Sequence, residues 1–302
     1  MITVLYRSSD VVADCLRSVE AAASAAGMEL QIILVDNNPG DGTADAAIEA
    51  VSHATLITNE VNVGFGRACN QGFEVAEGDW WLLLNPDATV AVDTLGVLVD
   101  FMASHRRVGA VAPSVLGGGQ GLAESAGMQP GLRAGVGHFL LANRLLLDDR
   151  GGPWRGLFLH RRPSLGPRPA EWVSGGAQLL RPSAIQDVGG FDPRFFLYAE
   201  DMDLGGRLAK AGWESWLLPS TTVQHSIAAS SGGLTDRWYV ALHDYYARGA
   251  SRPSIVLFDL VAALGMAVRA LTTPRHALHR KRMWVGARAA MRLAWATLQG
   301  QR

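Results

Sequence analysis

The sequence predicts an α/β protein with a mostly parallel, doubly wound central sheet and a helical C-terminal extension. Strand-like and helix-like segments alternate through the first half with short connections, which implies right-handed crossovers. The polar loops Tyr6 to Asp10, Asp36 to Thr43, Asn59 to Gly66 and Asn85 to Asp87 all follow strands. In such a sheet they share one edge, the edge where ligands bind. From about Leu234 onward the pattern is helical.

Each element has its own signal. Ile2 to Leu5 is a short apolar run, and Val12, Cys15, Leu16, Val19, Ala22 and Ala23 then recur at helical spacing before Gly27 closes the helix. Gln31 to Val35 is a second strand, followed by a helix to about Val51 and a third strand at Ala54 to Thr58. Gly64 opens a loop into a helix that carries Cys69, Phe73 and Ala76 on one face. Trp80 to Leu84 is an unalternating apolar run, as suits a strand buried on both faces. Pro86 ends it, because proline cannot donate to a ladder. Asp93 is a candidate cap for a helix reaching about Ser104, and Val108 to Ala112 is one more strand.

Residues 114–170 break the rhythm with Gly117-Gly118-Gly119 and Gly151-Gly152-Pro153. They read as a long excursion over the active edge. Order returns at Trp172 to Arg181, and a helix near Ser183 to Val188 leads to Gly189-Gly190-Phe191-Asp192. Glu200-Asp201-Met202-Asp203 then precedes a helix, and two short strands flanking Pro219 deliver His225. The pattern therefore divides the chain into 1–113, an excursion at 114–170, a second ordered stretch at 171–232, and a basic helical extension at 233–302.

At 302 residues, 48% apolar and with a net charge of −1, the chain is globular. That composition excludes a disordered or nucleic-acid-coating protein. Met1 to Leu5 shows no basic leader or cleavage site, so no signal peptide is expected. Cys15 and Cys69 sit in apolar helical patterns and read as packed, reduced thiols of a reducing compartment.

The polar edge suggests a nucleotide site built without a G-x-G-x-x-G fingerprint or a Walker lysine. A pyrophosphate bound that way calls for a hard divalent cation, Mg²⁺ or Mn²⁺, with Asp87 as an oxygen ligand and His225 as a possible nitrogen ligand. Alone, His225 at a strand end reads more readily as a hydrogen-bonded structural histidine.

The ordered set Val35-Asp36-Asn37-Asn38, Asn62-Val63-Gly64-Phe65-Gly66-Arg67, Leu83-Leu84-Asn85-Pro86-Asp87, Ser174-Gly175-Gly176-Ala177, Gly189-Gly190-Phe191-Asp192 and Phe195 to Leu204, closed by His225, resembles family 2 glycosyltransferases of the rhamnosyltransferase-like branch. The resemblance covers roughly Ile2 to Ser231 and implies a GT-A fold, with 1–113 as its nucleotide-binding half and 171–232 as its acceptor and catalytic half. It places Asp36 at the base or ribose of a nucleotide-sugar donor, with Tyr6, Gly64 and Arg67 completing the pocket. Asn85 would face the ribose, and Asp87 with His225 would hold the cation. Only the last position of that Asn85-Pro86-Asp87 motif is acidic. The Glu200-Asp201 pair matches the family's catalytic pair, with Asp201 as general base and Glu200 as an acceptor or supporting contact. A carboxylate is needed because a sugar hydroxyl is a weak nucleophile until its proton is taken, and one displacement opposite the leaving group inverts the anomeric carbon. The bland alternative is that Glu200, Asp201 and Asp203 simply favour a helix N-terminus, which suits Asp203 best. Rhamnose from a deoxythymidine diphosphate donor, passed to a glycan or polyprenyl-linked acceptor at the inner face of the cell membrane, is the expectation the resemblance gives. Trp172, Trp213 and Trp216 are candidates to stack on the acceptor or to fill the core. A nucleotidyltransferase and a catalytically idle nucleotide-sugar-binding subunit are the competing readings.

The tail carries no Asp or Glu after Asp259, while Arg269, Arg275, Arg280, Lys281, Arg282, Arg288, Arg292 and Arg302 follow. Leu257, Leu260, Val261, Leu264, Val268 and Leu271 make one helical stripe, too interrupted for a spanning segment. Such a basic, tryptophan-bearing tail suits the surface of an anionic bilayer, or else a helical pair packed on the main domain or a second subunit.

Overall fold

The structure is a computed structural model, and it describes residues 1–117, 125–140, 156–159, 166–225, 234–272 and 277–301. Gly118-Gly119 and Gly151-Gly152-Pro153 of the expected excursion lie outside the described residues, as do Arg275 and Arg302 of the basic tail. The chain forms two compact units: Met1–Ala126 with Arg161–Phe196 and Glu200–Ser231, and Gly127–His160 with Leu197–Ala199 and Gly232–Arg302.

In the first unit the elements run β1 (Ile2–Leu5), α1 (Val12–Ala25), β2 (Ile33–Asp36), α2 (Thr43–Ala50), β3 (Thr55–Thr58), α3 (Phe65–Glu74), β4 (Trp81–Leu84), β5 (Ala88–Val90), α4 (Thr94–Ser104) and β6 (Val108–Gly117). The two-residue β7 (Ala126–Gly127) and helix α5 (Leu132–Phe139) come next along the chain. Then follow β8 (Arg168–Ala170), β9 (Trp172–Val173), β10 (Ala177–Leu180), α6 (Pro182–Val188), α7 (Glu200–Lys210) and β11 (Glu214–His225). The main sheet has the order β3-β2-β1-β4-β10-β6-β11-β5, with β8 also pairing β11.

Strands β1, β2 and β4 are buried at every position, which is why their sequences are unbroken apolar runs. They pair in parallel, with β1 between β2 and β4, and α1 buries the Val12, Cys15, Leu16, Val19 stripe the spacing predicts. The mostly parallel sheet expected from sequence is present as a mixed sheet, with β11 pairing antiparallel to β5 and β8 at its far side. Strand β10 inserts antiparallel between β4 and β6, Gln178 opposite Leu83 and Leu180 opposite Ala110.

Three expectations need correcting. The two strands around Pro219 are one strand, β11, that follows β6 in parallel and slips register between Leu218 and Thr222. Proline lacks the ladder N–H, so the slip is located where the sequence demands it. Asp93 occupies the N-cap position of α4 but its side chain makes no capping bond. The excursion begins later than expected, because β6 continues to Gly117, and it contains α5.

The second unit is helical: α5, α8 (Leu234–Ala247), α9 (Arg252–Thr272) and α10 (Ala277–Leu298). Phe139, Tyr239, Tyr246 and Phe258 interlock at its centre. Asp259 is fully buried there, taking hydrogen bonds from Tyr239 Oη at 2.6 Å and His243 Nδ1 at 3.0 Å.

Candidate active site

The polar edge of the first unit is assembled strand by strand. Past β1, Arg7 takes a left-handed backbone (φ 49°), its N–H bonds Asp41 Oδ2 at 2.7 Å, and its guanidinium stands 5.3 Å from the Tyr6 ring centre. Asp41 also accepts from Thr43 N and Asn38 Nδ2, both at 2.8 Å. Burial pulls the Asp41 carboxyl up, but the bonds from Thr43, Asn38 and Arg7 outweigh it and hold it below the usual carboxylate range. Asp36, buried at the end of β2, accepts the Asn38 N–H at 3.0 Å.

Beside Asp36 lies a network the sequence reading did not find. Asn37 Nδ2 donates to Asn62 Oδ1 at 2.9 Å, while Asn37 Oδ1 accepts Val63 N–H at 3.1 Å and Asn59 Nδ2 at 3.2 Å. Asn59 and Gln71 exchange a pair of amide bonds at 2.8 and 2.9 Å. Because buried amides are costly unless bonded, this network fixes the Asn62-Val63-Gly64 loop rigidly to β2. Gly64 has φ 88°, and a Cβ there would meet the Phe196 carbonyl at 2.5 Å, so no other residue fits. Arg67, in the first turn of α3, is exposed and donates Nε to the Pro193 carbonyl at 3.0 Å.

The metal motif meets its histidine through sheet register. Asn85-Pro86-Asp87 turns directly into β5, which pairs antiparallel with the end of β11 and sets Ala88 opposite His225. Asp87 Oδ1 therefore stands 2.9 Å from His225 Nε2, and Asn85 Nδ2 stands 3.2 Å from the same nitrogen. One nitrogen cannot serve both neighbours. With a proton it satisfies Asp87 and faces the Asn85 N–H; without one it accepts from Asn85 and turns its lone pair on the carboxylate. A cation between Asp87 and His225 would relieve the second arrangement. The spacing fits as well, since neighbouring ligands of an octahedral cation with ~2.1 Å bonds stand about 3 Å apart. Among the described residues no group of three His, Cys, Asp or Glu side chains is present.

Asp201 and Glu200 open α7. Asp201 is half-buried, its Oδ1 takes the Met202 N–H at 2.8 Å, and its carboxylate also accepts the N–H of Gly175. Glu200 is buried, Oε2 is without a hydrogen-bond partner, and a Cβ on Gly66 would lie 3.8 Å from its own Cβ. It faces the interior under α3, next to Gly66. Burial, and then the Asp201 charge, raises the Glu200 carboxyl; burial also raises Asp201, offset by the N–H groups of Met202 and Gly175. Asp203 pairs with Arg207 Nε at 2.7 Å, and Arg207 also bonds the Val188 and Gly190 carbonyls, a structural brace.

Two glycines join the halves of the site. Gly175 donates to Asp201, and the next residue, Gly176, accepts the Asn85 N–H at 2.9 Å. A Cβ on Gly175 would strike the Phe65 ring at 2.7 Å. The carboxylate at the head of α7 and the Asn85 to Asp87 turn thus hang on one dipeptide at the start of β10.

Residues 1–165 match the model of glycosyl transferase family 2, more than half of the chain, and residues 164–298 match that of glycosyl transferase family group 2. The chain belongs to glycosyltransferase family 2. It is 33% identical over 227 residues, 72% of this chain and 73% of its relative, to the N-acetylglucosaminyl-diphospho-decaprenol L-rhamnosyltransferase of Mycobacterium tuberculosis. The mannosyltransferase PcManGT of Pyrobaculum calidifontis, solved with GDP-Man and Mn²⁺, superimposes with a TM-score of 0.60 at 16% identity, covering 100% of this chain and 87% of that one. TarS of S. aureus, residues 1–349, does so with a TM-score of 0.52 at 14% identity, over 99% and 91%. These likenesses show the GT-A fold, and family membership sets the nucleotidyltransferase reading aside. Among the tryptophans, Trp172 is core, whereas Trp213 and Trp216 are half-buried and bonded to Asp187 and Glu214. Cys15 and Cys69 are free, buried thiols. Burial and then Asp87 push Cys15 up to about 12, and burial and then Glu200 push Cys69 well above the usual thiol range, so neither is a nucleophile.

Proposed function

We propose that this glycosyltransferase is inverting and depends on a divalent cation, and that it moves rhamnose from a nucleotide sugar to a lipid-linked acceptor. The sugar and acceptor follow the printed activity of the mycobacterial relative, which aligns over about three quarters of both chains. The observation that carries the chemistry is the Gly175-Gly176 link, which holds a raised carboxylate beside the Asn85 to Asp87 turn. An acceptor held in a bilayer would keep the enzyme peripherally at the inner face of the cell membrane.

Asp36, the Asn37 amide network and the Gly64 loop would hold the nucleoside, with Tyr6 beside them. Asp87 and His225 would hold Mg²⁺ or Mn²⁺, which when bound offsets the charge of the departing diphosphate. Asn85 would orient the ribose. Asp201 takes the acceptor hydroxyl's proton at its carboxylate as the new glycosidic bond forms. Its raised proton affinity makes it a stronger base than an exposed aspartate while leaving it ionised at neutral pH. Glu200, protonated in the interior under α3, supports Asp201 without adding a second charge.

Asp201→Asn tests the base. Transfer from dTDP-rhamnose to a polyprenyl diphosphate sugar should fall ~10²–10⁴-fold, while nucleotide affinity measured by calorimetry stays within a factor of two to three. Transfer at the wild-type rate would remove Asp201 from that role.

A further inference from the structure

Helices α9 and α10 of the second unit lie antiparallel: a Cβ on Gly300, just past α10, would stand 3.6 Å from the Arg252 guanidinium at the start of α9. Each helix leaves one apolar stripe outside. On α9 it is Leu257, Leu260, Leu264, Val268 and Leu271, spaced three or four residues apart, and Leu271 is 73% exposed. On α10 it is Trp284, Met291, Trp295 and Leu298, with Trp295 63% exposed. The stripes run side by side, because Leu257 shares a cavity of about 450 Å³ with Leu298, and Leu264 shares one of about 880 Å³ with Trp284 and Met291. Leu260 borders both cavities, so they form one continuous apolar seam.

A contiguous exposed apolar face rimmed by polar residues marks an interaction surface. Its charge decides the occupant. Arg288 and Arg292 line the larger cavity, and Arg252 lines the smaller. Arg280 and Lys281 are exposed at the start of α10. No Asp or Glu follows Asp259 in the sequence, and Asp259 itself is fully buried. The face is therefore apolar along its seam, basic around it and acid-free. A symmetric dimer through this face would set arginine against arginine, which disfavours a second copy as occupant. Helix α9 is long and apolar enough to cross a membrane, but 44% of that stretch is buried within the protein, so only one side is offered to lipid.

We propose that the exposed α9–α10 face is a docking surface for an anionic lipid bilayer. The leucine seam with Trp284 and Trp295 enters the headgroup boundary, and Arg252, Arg280, Lys281, Arg288 and Arg292 engage lipid phosphates. The helices lie in the plane of the membrane and do not span it. The two exposed tryptophans suit this depth, where their rings are half in hydrocarbon and their N–H groups stay wet.

Vesicle flotation of the full chain tests it, with no turnover required. The wild type should float with equimolar phosphatidylglycerol and phosphatidylcholine vesicles, float weakly with phosphatidylcholine alone, and be released by high salt. Leu264→Asp with Trp295→Asp should lower binding to the mixed vesicles at least ~10-fold. Arg288→Ala and Arg292→Ala should each lower it ~5-fold, on anionic vesicles only. All four positions are exposed, and unchanged thermal unfolding of the variants shows that the fold is kept. Failure of the wild type to float on the anionic vesicles overturns the proposal. So does flotation unaffected by the aspartates, or a wild-type dimer in solution that the same aspartates dissociate while flotation persists.

Discussion

Two pairs of ionisable groups, each with one buried member, are built in opposite ways at one sheet edge. Asp87 faces a nitrogen, His225 Nε2, at 2.9 Å, so the carboxylate and the imidazole answer each other. Glu200 faces the charge of another carboxylate, Asp201, from a buried position in which Oε2 has no hydrogen-bond partner. The first pair offers one oxygen and one nitrogen to a shared proton or cation. The second is organised to keep a proton. A site that must neutralise a leaving diphosphate and also accept a proton needs both environments, and the fold supplies them from different elements: the β5–β11 register for one, the first turn of α7 for the other.

The sharpest way to break the comparison is to remove the first pair's acid. Asp87→Ala leaves His225 facing Asn85 alone, and cation-dependent donor binding should weaken at least ~10²-fold, more than the loss seen when a mere supporting contact to a metal ligand is removed. Calorimetric titration of the nucleoside diphosphate with and without Mn²⁺ reads this. If the Mn²⁺ dependence survived undiminished, Asp87 would hold no cation.

The second pair predicts an asymmetry in pH. The causes that raise Asp201 are its burial, whereas Glu200 is raised by burial and then by the Asp201 charge. An ionised Asp201 therefore holds the proton on Glu200. The rate should fall on the acid side as Asp201 protonates, at a pH above that of an unfolded aspartate, ~3.9. In Glu200→Gln that limb should stay where it is, because a neutral side chain replaces a neutral one. A limb displaced by a full pH unit would show instead that Glu200 is ionised when Asp201 titrates.

The same variant separates function from stability. A carboxyl raised in the folded state binds its proton more tightly there than in the unfolded chain, so its contribution is fully present below the unfolded value, ~4.3 for Glu, and is lost as pH climbs through the folded one. Glu200→Gln removes that loss. It should gain ~1–2 kcal/mol over the wild type near neutral pH, some 2–4 °C in Tm per kcal/mol, with the gap closing as pH falls toward 5. A Tm gain independent of pH would mean that the buried charge is not its source.

How much of this could be read in advance depended on whether a feature was local. The apolar runs at Ile2, Ile33 and Trp81 named the central strands because full burial leaves no other pattern, and Pro86 named the end of β4. Asp87 and His225 stood out in the sequence as candidate ligands, but the contact of Asn85 with His225, 140 residues away, left no signal there, since it depends on the β5–β11 register and on a slip near Pro219. The Asn37–Asn59–Asn62–Gln71 network left no sequence signal beyond polar residues after strands. Amides are equally at home in solvated loops, and only the fold shows that Asn37 and Asn59 are buried. The bond from Arg67 to the Pro193 carbonyl reflects a packing between α3 and the segment after α6 that no local pattern encodes.

The smallest expected effect concerns Arg7, where strain and a weak attraction nearly cancel. A left-handed backbone costs an ordinary residue ~1–2 kcal/mol, and the guanidinium over Tyr6 returns ~0.5–1 kcal/mol at an exposed position. Arg7→Asn keeps the N–H that Asp41 accepts, tolerates φ 49° better, and forfeits the ring contact. Stability should therefore change by no more than ~0.5 kcal/mol, and the N–H bonds that hold Asp41 below the usual carboxylate range should persist. Arg7→Val puts a β-branched side chain in the same backbone and should cost ~1–2 kcal/mol, because its backbone penalty has no compensating contact. Paired thermal unfolding of the two variants decides the matter: equal losses would place the value of Arg7 in its side chain, and a loss confined to valine would place it in the backbone turn that presents the Arg7 N–H to Asp41.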